Sequence, residues 1–313
     1  MKPLSSKAFS HSNRRGIGFM LLGIFLIISM DIAAKWLLEI YPVSQLVLLR
    51  SLFSMLTISC IAAFAGKLGD LHSSSPGWHL LRSVFMAGSM FAFFSAIQTI
   101  PLAVVVTIAF AGPLIVTALS WPVLGESVGP WRWLAVITGF CGVVIVARPG
   151  PGLIQAGALY AVAGTFMWAG LSLTARKMSG SESNISLSFY IFILPLLLGG
   201  IGSVGNWLTP NGMDLALFVL CGVLGGLSFS AINAAFRCAP AAVVVPFEYS
   251  GLIWATAAGW LIWDEGMDLV TVFGALVIIA SGLLLLYRES RGPGDVTPED
   301  FAVQDAVPLA RRK

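Results

Sequence analysis

The sequence predicts an all-α polytopic membrane protein, ten transmembrane helices arranged as two inverted five-helix repeats. Three observations predict it: an apolar composition, ten hydrophobic runs of membrane length, and a self-similarity at an offset near 140 residues. Of 313 residues, 57% are apolar and only 11% are charged. Soluble domains carry about 25% charged residues, because much of their surface must face water. A mean hydropathy of +0.89 agrees with a lipid solvent.

The hydrophobic runs fall at about 17–38, 43–65, 78–98, 101–122, 131–147, 154–174, 185–206, 213–235, 241–263 and 268–287. Each is near the ~20 residues that a helix needs to cross the hydrocarbon core. Tyr41-Pro42 separates spans one and two, Ile100-Pro101 three and four, and Ala239-Pro240 eight and nine. The run Arg148-Pro149-Gly150-Pro151-Gly152 divides the chain in half. With the N-terminus in the cytoplasm, 15 of the 18 Lys and Arg residues fall on cytoplasmic segments, Arg82 and Arg237 among them. Only Arg148 falls outside, and Lys35 and Arg50 lie within spans. That asymmetry obeys the positive-inside rule and places both termini in the cytoplasm. Most Trp residues sit at span ends, as interfacial belts require, whereas Trp168 and Trp254 fall in mid-span.

The repeat is carried by landmarks in one order. Residues 101–126 align without a gap on 240–265, with ten identities in 26 positions. Among them Pro101 falls on Pro240, Gly112 on Gly251, Trp121 on Trp260 and Glu126 on Glu265. Further matches join Gly142 to Gly282 and Gly16 to Gly157. Five spans is an odd number, so the second half enters the membrane inverted. Inverted repeats are a device of secondary transporters, because two alike halves can exchange conformations about one central site. The expected division is a cytoplasmic tail at 1–15, repeats at 16–149 and 150–288, and a Pro-rich disordered tail at 289–313.

On these motifs the chain resembles the EamA branch of the drug/metabolite transporter superfamily, over about residues 16–288. The resemblance implies spans three, four, eight and nine around a cavity, with five and ten at the periphery. It also implies alternating access coupled to protons or to exchange, and candidate substrates such as riboflavin, S-adenosylmethionine, amino acids or drug-like cations.

Ionisable groups within spans cost about 2.5–3.5 kcal/mol on insertion scales and each needs a reason. Asp31 and Lys35, at i and i+4, share a helix face and are expected to form an ion pair, with contact of Asp31 to a cationic substrate or a part in proton coupling as the alternative. Arg50 needs an acidic partner, carbonyls or water, and a network with Asp31 and Lys35 is one expectation; binding of a substrate anion is another. Glu248 is singled out because its repeat counterpart is Ala109, so symmetry does not require the carboxylate. Pro246, two residues earlier, removes a backbone donor inside the span. Asn233 and Gln98 are candidate polar partners of Glu248, and Tyr249, Trp254 and Trp168 are candidate aromatic surface for a flat substrate. Gly222-x-x-x-Gly226 signals close helix packing.

Four scattered Cys residues with no CxxC spacing argue against disulfides and against a metal site. No HExxH, Gly-x-Ser-x-Gly or Walker sequence occurs, so an enzyme or a direct ATP-driven pump is not expected. No cofactor and no nucleic acid are expected; the partners are a small-molecule substrate, the lipid bilayer and protons, with the chain a monomer or homodimer. The expected function is inner-membrane secondary transport of a small metabolite, with a passive channel or structural membrane subunit as the rival.

Overall fold

A computed structural model describes residues 6–73, 75–124, 129–148, 153–178, 182–239 and 241–290. The described chain is helical throughout: α1 (Ser6–Leu38), α2 (Val43–Phe64), α3 (Pro76–Thr99), α4 (Leu102–Ala109), α5 (Gly112–Leu124), α6 (Pro130–Ala147), α7 (Leu153–Met178), α8 (Asn184–Phe189), α9 (Ile193–Ser203), α10 (Gly212–Cys238), α11 (Ala241–Val244), α12 (Ser250–Trp263) and α13 (Leu269–Ser290). Span four is α4 plus α5. Span seven is α8, a 3-10 turn at Tyr190–Phe192 and α9, and span nine is α11, a 3-10 turn at Val245–Tyr249 and α12.

Nine spans among the described residues are long and apolar enough to cross a membrane. The expected tenth, span nine, is interrupted by its 3-10 turn, which begins beside Pro246. A Pro inside a helix deletes one backbone hydrogen bond and clashes with the preceding turn, so the segment tightens there instead of continuing. Helix α1 starts at Ser6, so the basic stretch expected to be a tail is helical over most of its length. Pro240, Glu126 and the C-terminal tail from 291 lie outside the described residues.

The packing repeats itself. Helix α1 lies on α10, and its counterpart α7 lies on α3. Helix α2 lies on α10, and span seven lies on α3. Helix α1 touches α12, and α7 touches α4 and α5. Three further contacts join equivalents: α2 to α9, α4 to α12, and α6 to α13. Such a pattern is what a two-fold relation between inverted halves produces. Small residues permit the closest approaches. A Cβ on Gly142 would stand 2.8 Å from Ile278 Cγ1 and 3.0 Å from the Gly274 carbonyl, which fixes α6 against α13. Gly226, next to Thr57, and Gly222, next to Phe53, let α10 settle on α2, as the Gly-x-x-x-Gly spacing predicts.

Arg148 caps α6 in a left-handed conformation (φ 44°) and forms an ion pair with Asp268 just before α13. Arg148 and two hydrogen bonds from Thr271 hold the Asp268 carboxyl down at about 2, against an ordinary 3.8. A depressed carboxylate stabilises the fold fully above its unfolded value, and that contribution fades as pH falls from about 4 through 2. Both side chains are roughly half exposed, so solvent screening keeps the pair below about 1 kcal/mol. Arg148→Gln is therefore expected to shift the thermal midpoint by no more than a few degrees at pH 7. The shift should shrink further at pH 3 and in 1 M salt. A shift that grows under either condition would contradict this assignment.

Candidate functional site

Among the described residues, the connections that follow α1, α3, span seven and span nine meet the face opposite the N-terminus, here called distal. A cleft of about 280 Å³ opens there between α1, the α3–α4 turn and the end of α12. Its walls are built by local chain chemistry. Ile100 is extended (φ −137°, ψ 159°) because the following Pro101 excludes helix from the residue before it. Pro101 then starts α4, as its N-cap. Asp264 ends α12 in the left-handed region (φ 55°), and the chain reverses so that Glu265 N–H donates to Gly259 O at 2.9 Å.

That reversal delivers the carboxylate of Glu265 to Lys35. The expected Lys35–Asp31 pair is not formed; Lys35 pairs with Glu265, from the other repeat. The physical reason is direction. Lys35 lies in the last turn of α1 and extends toward the distal surface, where Glu265 is waiting, while Asp31 lies one turn deeper. Lys35 Nζ also stands 4.7 Å from the centroid of the Trp263 ring. Trp263 Nε1 donates to Glu39 Oε1 at 2.5 Å, and Gln98 Nε2 donates to Leu38 O at 3.0 Å. Gln98 is therefore a wall of the distal cleft and not a partner of Glu248.

One turn below the cleft lie Asp31 and Arg50, both buried. Their charges are close enough to interact, but no ion pair closes between them. The expected three-member network is thus two groups held apart, without Lys35. Arg50 Nε contacts Met30 Sδ at 3.2 Å, and its guanidinium carbon lies over the rings of Phe94 (5.4 Å) and Phe192 (5.9 Å). Arg50 Nη1 has no hydrogen-bond partner.

The centre of symmetry lies where α4 and span nine cross. Phe110 and Tyr249 are equivalent at the repeat offset of 139, and they touch edge to face at 5.1 Å. Both spans are discontinuous at this level: α4 ends at Ala109 and the 3-10 turn at Tyr249. Glu248 sits on that turn, partly buried, its side chain with no hydrogen bond or ion pair among the described residues. Asn233 does not bond to it, and its amide likewise lacks a partner there. Tyr249 points away, its hydroxyl against Gly282 of α13, so it packs spans nine and ten and does not present a free surface. Trp254 lies edge to face with Phe25 of α1 at 5.4 Å. Trp168 stacks at 5.9 Å on Phe229, which meets Phe192 at 6.1 Å, so an aromatic path runs from α7 through α10 to Arg50.

A second polar cluster, at the N-terminal face, was not foreseen. Arg82, counted above with the cytoplasmic loops, is buried inside α3 and donates to Leu171 O (3.1 Å) and Leu187 O (3.3 Å). His79 Nε2 lies 3.5 Å from Glu182 Oε2, and Ser73 and Ser186 donate to the same carboxylate. The cluster ties α3 to the α7–α8 connection. Its signal in the sequence was the pairing of His79 and Arg82 within the first turns of span three.

An inverted pair of five-span bundles, with broken helices crossing at the symmetry centre, defines a multi-pass membrane transporter. More particularly, the chain belongs to the EamA-like transporter family, which it matches over residues 14–148 and 155–287. It is 28% identical to an S-adenosylmethionine uptake transporter of Rickettsia bellii, over 88% of this chain and 94% of that one. It is also 28% identical to a riboflavin transporter of Vibrio cholerae, over 80% and 85%. A pseudopaline exporter of Pseudomonas aeruginosa is 24% identical over 89% and 98%. A solved crystal structure with 18% identity shares the fold, with a TM-score of 0.63 over 88% of this chain and 99% of the other. The family and these relatives are transporters, not enzymes.

Proposed function

We propose that the protein is an inner-membrane secondary transporter that moves a flat or amphipathic small metabolite by alternating access, driven by protons or by exchange. The observation that carries the proposal is the crossing of α4 and span nine. There the equivalent Phe110 and Tyr249 touch, both helices break, and one side alone bears a carboxylate, Glu248. Broken helices at a repeat interface are where transporters hold substrate and coupling ions. An unpaired acid at that level can bind and release a proton as the two halves rock.

The ends of the bundle differ in the way alternating access requires. The distal end holds an open cleft, and the N-terminal end is tied by His79, Arg82 and Glu182. The positive-residue asymmetry supports cytoplasmic termini, an orientation in which the cleft faces outward. Relatives that carry S-adenosylmethionine and riboflavin support a substrate with a flat ring system, and the Trp168–Phe229–Phe192 path offers stacking surface.

The test is uptake of radiolabelled S-adenosylmethionine and riboflavin into proteoliposomes containing the purified chain. Under an imposed pH gradient, or against preloaded unlabelled solute, one of them should accumulate above its outside concentration. Flux that only equilibrates, with no response to either driving force, would mark a passive channel and overturn the proposal.

A further inference from the structure

We infer that Asp31 and Arg50 together recognise an α-amino-acid head group on the transported metabolite. In that site the Arg50 guanidinium takes the carboxylate and Asp31 the ammonium. The inference rests on the transporter reading above and adds to it the substrate class.

Arg50 is only 3% exposed and carries a charge that it cannot shed. A guanidinium placed there for structure would close onto an acid or a set of carbonyls, because a buried charge without partners is strongly destabilising. Instead its Nε meets a thioether, a weak acceptor, and Nη1 meets nothing. Phe94 and Phe192 attract the cation through their ring faces and exclude water from it. Rings do not satisfy N–H donors. The unfilled valence calls for a charged acceptor, and a carboxylate makes the strong, directional bonds that a guanidinium offers.

Asp31 answers with the opposite need. It is 4% exposed, sits on the neighbouring span, and its side chain forms no hydrogen bond or ion pair among the described residues. Two opposite charges, near enough to interact yet not joined, leave acceptors open on one side and donors on the other. A lone anion would satisfy Arg50 only, and a lone cation Asp31 only. An ammonium and a carboxylate on one carbon satisfy both.

The nearest opening to the pair is the distal cleft. Lys35 and Ile97 line the cleft, and Asp31 and Phe94 lie one turn beneath them on the same helices. The aromatic path from Phe192 to Trp168 leads away from Arg50 and would receive the rest of the molecule. S-adenosylmethionine has both the head group and the flat ring, whereas riboflavin lacks the head group.

The experiment measures binding to the purified full chain in nanodiscs, by radioligand binding and thermal shift. The probes are S-adenosylmethionine, the twenty L-amino acids and riboflavin. Each binder is compared with its decarboxylated amine and its N-acetyl derivative. At least one α-amino acid or S-adenosylmethionine should bind, and either modification should weaken it about tenfold or more. Arg50→Gln should erase the preference for the carboxylate, and Asp31→Asn the preference for the free amine. Arg50→Lys should keep part of the first preference, which separates lost recognition from lost folding. The inference is overturned if no probe with the head group binds. It is also overturned if wild-type protein binds the modified forms equally well, or if Arg50→Gln keeps the carboxylate preference. Concentrative uptake is scored separately. A carrier that concentrates riboflavin while binding no amino acid keeps the transporter reading and defeats this one, and a chain that concentrates nothing defeats that reading whatever it binds.

Discussion

Glu248→Gln is expected to abolish concentrative transport, lowering gradient-driven uptake by about a hundredfold, equivalent to roughly 2.8 kcal/mol. Glutamine keeps the size and the hydrogen-bonding capacity of the side chain and removes only its ability to titrate. Nothing in the described surroundings holds the Glu248 side chain in a structural role: it has no ion pair and no hydrogen bond, and its repeat counterpart is Ala109. The variant should therefore fold and should keep its unfolding free energy within about 1 kcal/mol of wild type, as expected for a change that breaks no contact. It should also retain substrate-for-substrate exchange, which needs alternating access and no net driving ion. Glu248→Asp should restore part of the uphill rate. Proteoliposomes can separate the two modes with the same labelled solute, by imposing a pH gradient in one case and internal solute in the other. Full uphill activity in the Gln variant would remove Glu248 from coupling. Loss of exchange together with uptake would make it a recognition residue.

The lipid solvent, the ten spans and the repeat were all legible in the sequence, because each rests on long-range averages or on rigid landmarks. Apolar runs survive any local irregularity, and Pro and Gly keep their register when other residues drift. What could not be read was which polar groups meet. Lys35 has an acid one turn away at Asp31, and i,i+4 geometry made that pair the natural expectation. Its actual partner, Glu265, is 230 residues further on and reaches it only because Asp264 turns the chain. His79 and Glu182 meet for the same kind of reason, across the α3 and α7–α8 boundary. In a chain apolar on nearly every helix face, periodicity does not say which face is inward, so side-chain direction at Trp168, Tyr249 and Arg50 had to come from packing. The offset of 139 also pairs Phe110 with Tyr249, and those rings form one of the contacts between equivalent parts of the two halves.

A large effect on folding is expected at Gly222. A Cβ there would overlap Phe53 and stand 3.0 Å from its Cα and 2.9 Å from its carbonyl carbon. Those are backbone atoms of α2, which no rotamer change can move, so Gly222→Ala must push α2 and α10 apart. Alanine in a helix gains about 1 kcal/mol over glycine by propensity alone. Overpacking typically costs about 1–3 kcal/mol, and here lost contacts add to it along the whole seam. Ser54 Oγ donates to Gly222 O at 3.1 Å, and Gly225 lies beside the Arg50 guanidinium. A net loss of about 2 kcal/mol is expected for Ala, and failure to recover folded protein for Leu. Gly18 provides the control, since a Cβ there has nothing within 4 Å. Gly18→Ala should therefore leave stability unchanged or raise it by up to about 1 kcal/mol. Thermal unfolding of the two purified Ala variants in one detergent decides the matter. If both move in the same direction, the α2–α10 approach is looser than described. If they part as expected, the one-turn glycine spacing sets the α2–α10 approach, and separating those helices, with Arg50 beside Gly225, should weaken substrate binding along with the fold.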